Sequence, residues 1–161
     1  MIKKEIPFTV EIYASASELI GSDADLLARA KDITTQAYAP YSNFKVGAAA
    51  ILADGTIVTG TNQENASYPV GICAERVLLS AVASQFANAG ILTMAISYDN
   101  LNGESNLPIS PCGICRQSLA EYEDRTHQPI RIILSGLNGE VYIIEKASQL
   151  LPLTFNLLDI K

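Results

Sequence analysis

Histidine occurs once in this chain and cysteine only three times. An odd cysteine count excludes a fully paired disulfide framework and points to metal or catalytic use. The lone histidine, His127, lies in the polar, turn-like stretch EDRTHQP and reads as a solvated loop residue. Excess positive charge is also missing: 11 Lys and Arg stand against 17 Asp and Glu, for a formal net charge of -6. Phosphate neutralisation supplies much of the affinity for a polyanion, so an acidic chain without a Lys/Arg cluster argues against nucleic acid. A small neutral or weakly charged substrate fits better. No apolar run is long enough to span a bilayer, and no membrane partner is expected. The N-terminal MIKKEIPFTVEIY lacks the apolar core and small-residue cleavage site of a secretory signal, so the expected compartment is the cytoplasm. Repeats, low-complexity tracts and linkers are absent, and residues 1–161 read as one domain.

What is present is 48% hydrophobic residues in 161 positions, enough for a core without disulfide staples. Residues 1–20 alternate weakly, as an extended arm. Ser22 or Asp23 is positioned to cap a helix through DADLLARAKDITTQAYA, where Leu26, Leu27, Ala30 and Ile33 recur at helical spacing. Ala39-Pro40 ends it. KVGAAAILADGTIVTGTN reads as two strands joined at Asp54-Gly55. A second helix follows from about Cys73, then the apolar strand ILTMAISY. After the polar loop DNLNGESNLPISP, a third helix starts at Cys112. RIILSG and VYIIEKA are strands around Asn138-Gly139, and SQLLPLTF makes a short helical turn and a tail. The order α-β-β-α-β-α-β-β implies an α/β fold with a mixed sheet between helices.

The chemistry concentrates in SPCGICRQ, Ser110 to Gln117, and in CAER, Cys73 to Arg76. Each cysteine segment falls at a predicted helix start, where free N–H groups and the helix dipole favour thiolate. Cys112 and Cys115 share one helical face, so both sulfurs reach one ion, and Cys73 makes a third ligand. Three ligands are one short of a closed structural zinc site, and an open position holding water is the design of a catalytic zinc. Glu75 reaches the same place from the first turn after Cys73. It suits a general acid/base beside a zinc-activated water. Three other readings stand beside this one: a thioredoxin-like redox pair, a structural zinc completed by Glu75 or His127, and Glu75 as a fourth ligand of the metal.

Cys-Ala-Glu followed by Pro-Cys-x-x-Cys resembles the zinc deaminase signature, with Cys in place of the usual His. YSNFKVGAA, NQENASYPVGICAER, SPCGICRQ and SQLLPLTF further resemble, in order, the motifs of the short, homotetrameric cytidine deaminases, over residues from about 22 to 155. The resemblance implies a three-layer fold with a five-stranded mixed sheet. It also implies hydrolysis of cytidine and deoxycytidine to the uridine nucleosides, with one Zn2+ per subunit. Cys73, Cys112 and Cys115 match the zinc ligands and Glu75 the proton shuttle. Asn62 and Glu64 match the residues that hold the ribose; an extended TNQEN places both side chains on one face. Phe44 matches an aromatic that packs on the pyrimidine, Tyr68 a pocket position, and Phe155 a residue contributed to a neighbouring subunit's site. Arg76 matches a residue that offsets the negative charge of three thiolates, and Arg116 is a second candidate for hydrogen bonds to them.

Three departures from the family pattern stand out. The arm at residues 1–20 is longer, and two roles are open to it: covering an edge strand or altering assembly. The loop from Asp99 to Pro108 is longer as well. Ile114 stands where a smaller residue is usual, an expectation of crowding near the site. Rival functions are a deaminase for another aminopyrimidine nucleoside of the blasticidin type, a binding module with a structural zinc, and a polynucleotide editor.

Overall fold

The computed structural model describes residues 1–156 and 159–160. Its elements are β1 (Glu11–Tyr13), α1 (Ser22–Ile33), β2 (Phe44–Leu52), β3 (Ile57–Thr61), α2 (Ala74–Gln85), β4 (Ile91–Asn100), α3 (Gly113–Thr126), β5 (Arg131–Ser135) and β6 (Val141–Ile144). A 3-10 turn at Ala147–Leu150 follows. The strands form one sheet in the order β1-β6-β5-β4-β2-β3, with β4 and β5 parallel and the other neighbours antiparallel.

Period-two alternation divides the sheet's side chains between two cores. Ala48, Ala50 and Leu52 of β2 meet Leu78 and Val82 of α2 and Leu119 of α3. Ala49, one step out of phase, joins Ala95, Ile133 and Ile143 against Leu26, Leu27 and Ala30 of α1. Three layers result, with α1 on one face and α2 and α3 on the other. Fully buried leucines such as Leu78 and Leu119 each contribute about 2 kcal/mol of burial. Strand β5 is covered on both faces, which explains why RIILS is continuously apolar instead of alternating.

The sheet has six strands, one more than the five expected. The extra strand is β1 from the arm, with Glu11, Ile12 and Tyr13 opposite Ile143, Tyr142 and Val141. Without it, β6 would be an edge with unpaired N–H and C=O groups, so the arm does cover an edge strand. Helix α1 ends at Ile33, earlier than expected, and tightens into a 3-10 turn over Thr34–Gln36. The hydroxyls of Thr34 and Thr35 bond back to the Lys31 and Asp32 carbonyls there, competing with the helical ladder. The residue before α1 is Gly21 at φ 58, with no side-chain cap. Neither Ser22 nor Asp23 caps the helix; Asp23 lies in its first turn and pairs instead with Arg131 at 2.8 Å. Strand β4 runs on to Asn100 because Asp99 and Asn100 pair with Lys45 and Phe44.

Candidate active site

Cys73 is the residue before α2 and Cys112 the residue before α3, both in extended conformation. The two helix starts converge on the same edge of the helical layer, and Cys115 follows one turn inside α3. The Cys73 and Cys112 sulfurs are 3.7 Å apart, those of Cys112 and Cys115 3.5 Å, and all three lie within 4.8 Å of one another. A tetrahedral zinc with Zn–S bonds near 2.3 Å spaces its sulfurs about 3.8 Å apart, so this donor set fits the ion. Neither Glu75 nor His127 belongs to the mutual group among the described residues. His127 closes the opposite end of α3, roughly 20 Å away by helix rise, which removes it as a fourth ligand.

Charge is arranged around the sulfurs. A hydrogen bond with Cys115 is the main cause lowering the Cys73 thiol to about 6, and the charge of Arg76 acts in the same direction. The same hydrogen bond, then burial, raises Cys115. Of these two, Cys73 is the one held toward thiolate. Arg76 makes no hydrogen bond to a cysteine among the described residues, so its effect is that of a nearby charge. Glu75 is 5% exposed. Burial raises its carboxyl above the ordinary range, while hydrogen bonds from its own N–H and from Cys115 oppose the shift. A carboxyl that is buried, in contact with the sulfur cluster and inclined to hold a proton has the properties of a proton carrier.

The expected substrate residues divide into two groups. Asn62 Oδ1 accepts from the Val46 N–H at 2.7 Å, and its Nδ2 donates to the Phe44 carbonyl at 2.9 Å. Glu64 Oε2 accepts from the N–H groups of Tyr41 and Ser42, at 2.9 and 3.3 Å. Both side chains thus face the same 41–46 segment, as the period-two reading of TNQEN expects. An open cavity of about 340 Å³ is lined by Tyr41, Ser42, Glu64, Asn65, Tyr68 and Gly71. Asn62, Phe44, Phe155 and the cysteines lie outside that lining. Tyr68 is exposed and meets Tyr41 edge-on, with centroids 5.8 Å apart. Phe155 is exposed as well, and its carbonyl accepts from Gln117 Nε2.

Several features escaped the sequence reading. Tyr98 stacks on Phe44 with centroids 4.8 Å apart and the rings 14° from parallel, so it fixes the plane of the expected base-stacking ring. Only the β2–β4 register brings the two together, and no local motif signals it. Among the described residues Arg116 makes no hydrogen bond to the cysteine sulfurs: its guanidinium donates to the Pro111 and Leu150 carbonyls. Ile114 is 63% exposed and points outward from the first turn of α3, so the expected crowding does not arise among the described residues. Glu123, buried, accepts from the N–H groups of Ile130, Ala147 and Ser148, tying α3 to β5 and the final turn.

The sequence model for the cytidine and deoxycytidylate deaminase zinc-binding region matches residues 21–128. The chain is 37% identical over 123 residues to the cytidine deaminase of Halalkalibacterium halodurans, covering 76% of this chain and 86% of that one. With the cytidine deaminase of Sporosarcina psychrophila it shares 36% over 135 residues, covering 84% and 92%. A crystal structure of cytidine deaminase from Burkholderia pseudomallei matches the fold with a TM-score of 0.73 at 37% identity, covering 84% of this chain and 100% of that one.

Proposed function

The chain belongs to the cytidine and deoxycytidylate deaminase family, and on that premise we propose that it hydrolyses cytidine and deoxycytidine to uridine and deoxyuridine, releasing ammonia. The observation that carries this reading is the convergence of three sulfurs from two helix starts on one point, with the buried Glu75 carboxyl in contact with them.

Cys73, Cys112 and Cys115 hold the zinc, which when bound supplies a Lewis acid that makes water nucleophilic at neutral pH. Glu75 takes the proton from the attacking water and delivers it to N3 of the pyrimidine as the new C4–O bond forms. It then passes the second proton to the amino group, which leaves as ammonia when the C4–N bond breaks. Arg76 and the two helix N-termini offset the net negative charge of three thiolates. Glu64 and Asn62 bind the ribose hydroxyls with acceptors and donors left over from their backbone bonds. Phe44, held flat by Tyr98, packs against the base, and Tyr68 closes the pocket.

Phe155 is assigned to a neighbouring subunit's site in a homotetramer; the exposure of its ring, of Leu153 and of Tyr68 supports shared sites. Residues 1–161 act as one deaminase domain with an N-terminal arm. Three free cysteines held together suit a reducing, cytoplasmic setting, and no described helix is long and apolar enough to cross a membrane. Nucleic acid has no part in this reading. The test is ammonia release and loss of cytidine absorbance with purified protein, zinc being measured on the same sample. Turnover of a blasticidin-type nucleoside without cytidine turnover would overturn the substrate assignment.

A further inference from the structure

Arg116 and Gln117 follow Cys115 directly, and both side chains turn to the C-terminal segment. The Arg116 Nε–H donates to the Pro111 carbonyl at 2.8 Å, and its Nη1 donates to the Leu150 carbonyl at 3.0 Å. Gln117 Nε2 donates to the Phe155 carbonyl at 2.7 Å. Two turns further along α3, Glu123 accepts from the Ala147 and Ser148 N–H groups. The helix that carries two of the three sulfurs is therefore also the scaffold to which residues 147–155 are fastened.

Pro111 is buried and directly precedes Cys112. One planar guanidinium thus holds the backbone that aims Cys112 together with the turn that leads to Phe155. Its donors sit in a rigid fork, so neither bond shifts without the other. We propose that Arg116 is a positioning residue that couples metal loading at Cys112 and Cys115 to the placement of residues 150–155, with Gln117 extending the tie to Phe155. The proposal rests on the reading of the three cysteines as zinc ligands. An ion held by Cys112 and Cys115, whose sulfurs are already 3.5 Å apart, would hold the turn from Pro111 to Arg116. The donor for the Leu150 carbonyl is then held in place. By reciprocity, loosening the C-terminal segment weakens the hold on zinc.

The experiment compares zinc-loaded and metal-free protein by amide hydrogen exchange over residues 147–156, together with zinc release to a chromogenic chelator. In the unaltered chain, removing zinc should speed exchange at Gln149 and Leu151, whose amides close the final turn. Arg116→Ala should bring the zinc-loaded protein to that faster exchange, and should speed zinc release roughly tenfold or more, as loss of a residue supporting a ligand does. Arg116→Lys, with a point charge in place of a fork, should not restore the slow release; it also serves if the alanine variant fails to fold. Gln117→Ala should loosen residues near Phe155 and speed zinc release as well, by less than Arg116→Ala does.

Exchange over 147–156 that is indifferent to zinc would overturn the proposal. So would zinc release from either Arg116 variant at the unaltered rate. Faster exchange spread evenly through β4 and β5 would reduce Arg116 to general support and overturn it too. None of these readouts uses cytidine, so the coupling can fail while the substrate assignment stands. Protein that takes up no zinc would sink the metal reading itself.

Discussion

Gly60 lies directly beneath Ala74, so close that a Cβ on Gly60 would stand 2.6 Å from the Ala74 carbonyl oxygen and 2.6 Å from the Leu78 amide nitrogen. This contact seats the first turn of α2 on β3, and that turn carries Cys73 and Glu75. Both neighbours are helix backbone, so added volume must move the helix. Gly60→Ala should cost about 1–3 kcal/mol in stability and reduce turnover more than the lost stability alone explains. Gly113→Ala is the matched control: it adjoins Cys112, yet a Cβ there meets nothing within 4 Å. Thermal melting and cytidine turnover on both variants check the pair. Equal effects would mean that the α2 seat is not what positions the site.

Glu75→Gln keeps the size of the buried side chain and removes its capacity to carry a proton. The three sulfurs are untouched, so zinc content should stay at one per chain. With proton transfer lost, kcat should fall by about 10²–10⁴-fold. The measurement is kcat alongside metal content. Near-normal turnover with full zinc would remove Glu75 from the mechanism.

The contrast between legible and hidden features is physical. Cys73 and Cys112 were legible because a helix start, a Cys-x-x-Cys spacing and a neighbouring glutamate are all local. The Asp54-Gly55 hairpin was legible for the same reason, as turn chemistry sits in adjacent residues. Strand β1 was not, since three residues of weak alternation become a strand only by pairing with β6, about 130 positions away. Arg116 was misread for a related reason. A long guanidinium next to a ligand is free to choose among acceptors, and the fold decides by bringing Leu150 into reach. The Phe44–Tyr98 stack likewise depends on the register of β2 against β4.

The carboxyl of Glu64 is held below its ordinary range, first by a hydrogen bond from the Ser42 hydroxyl and then by the Tyr41 and Ser42 N–H groups. A depressed carboxyl pKa means that the ionised clamp is fully present above the ordinary carboxylate pKa. It is lost only as pH falls through the lowered value. KM for cytidine should therefore stay flat from neutral pH down through about pH 5, provided Glu64 is what binds the ribose. Glu64→Gln should raise KM more than it lowers kcat. A KM that climbs between pH 7 and 5 while Glu64→Gln leaves it unchanged would assign ribose binding elsewhere.

Removal of metal separates a catalytic site from a structural one. Both apolar cores are built mostly from aliphatic side chains and include none of the three cysteines, although Cys115 is itself buried. Chelation should abolish activity while far-ultraviolet circular dichroism stays close to that of the loaded protein. Melting temperature should fall, because ligand binding to the folded state no longer adds to stability. Loss of helix and sheet signal in step with zinc would instead mark a structural ion.

Glu11, Ile12 and Tyr13 pair with β6, while Val10 and Tyr13 pack at the margins of the two cores. Removing residues 1–13 uncovers the backbone N–H and C=O groups of β6 and strips those two side chains from the core margins. No proposed ligand or substrate residue lies in the deleted stretch, so zinc content and kcat per correctly folded chain should hold. Melting temperature should drop by several degrees, as the loss of about 1–2 kcal/mol gives in a domain of this size. An open sheet edge also templates strand addition, so the shortened chain should self-associate at lower concentration, as read by light scattering. A truncated protein that stays as dispersed and as stable as the full chain would show that β6 tolerates exposure, and that β1 protects nothing.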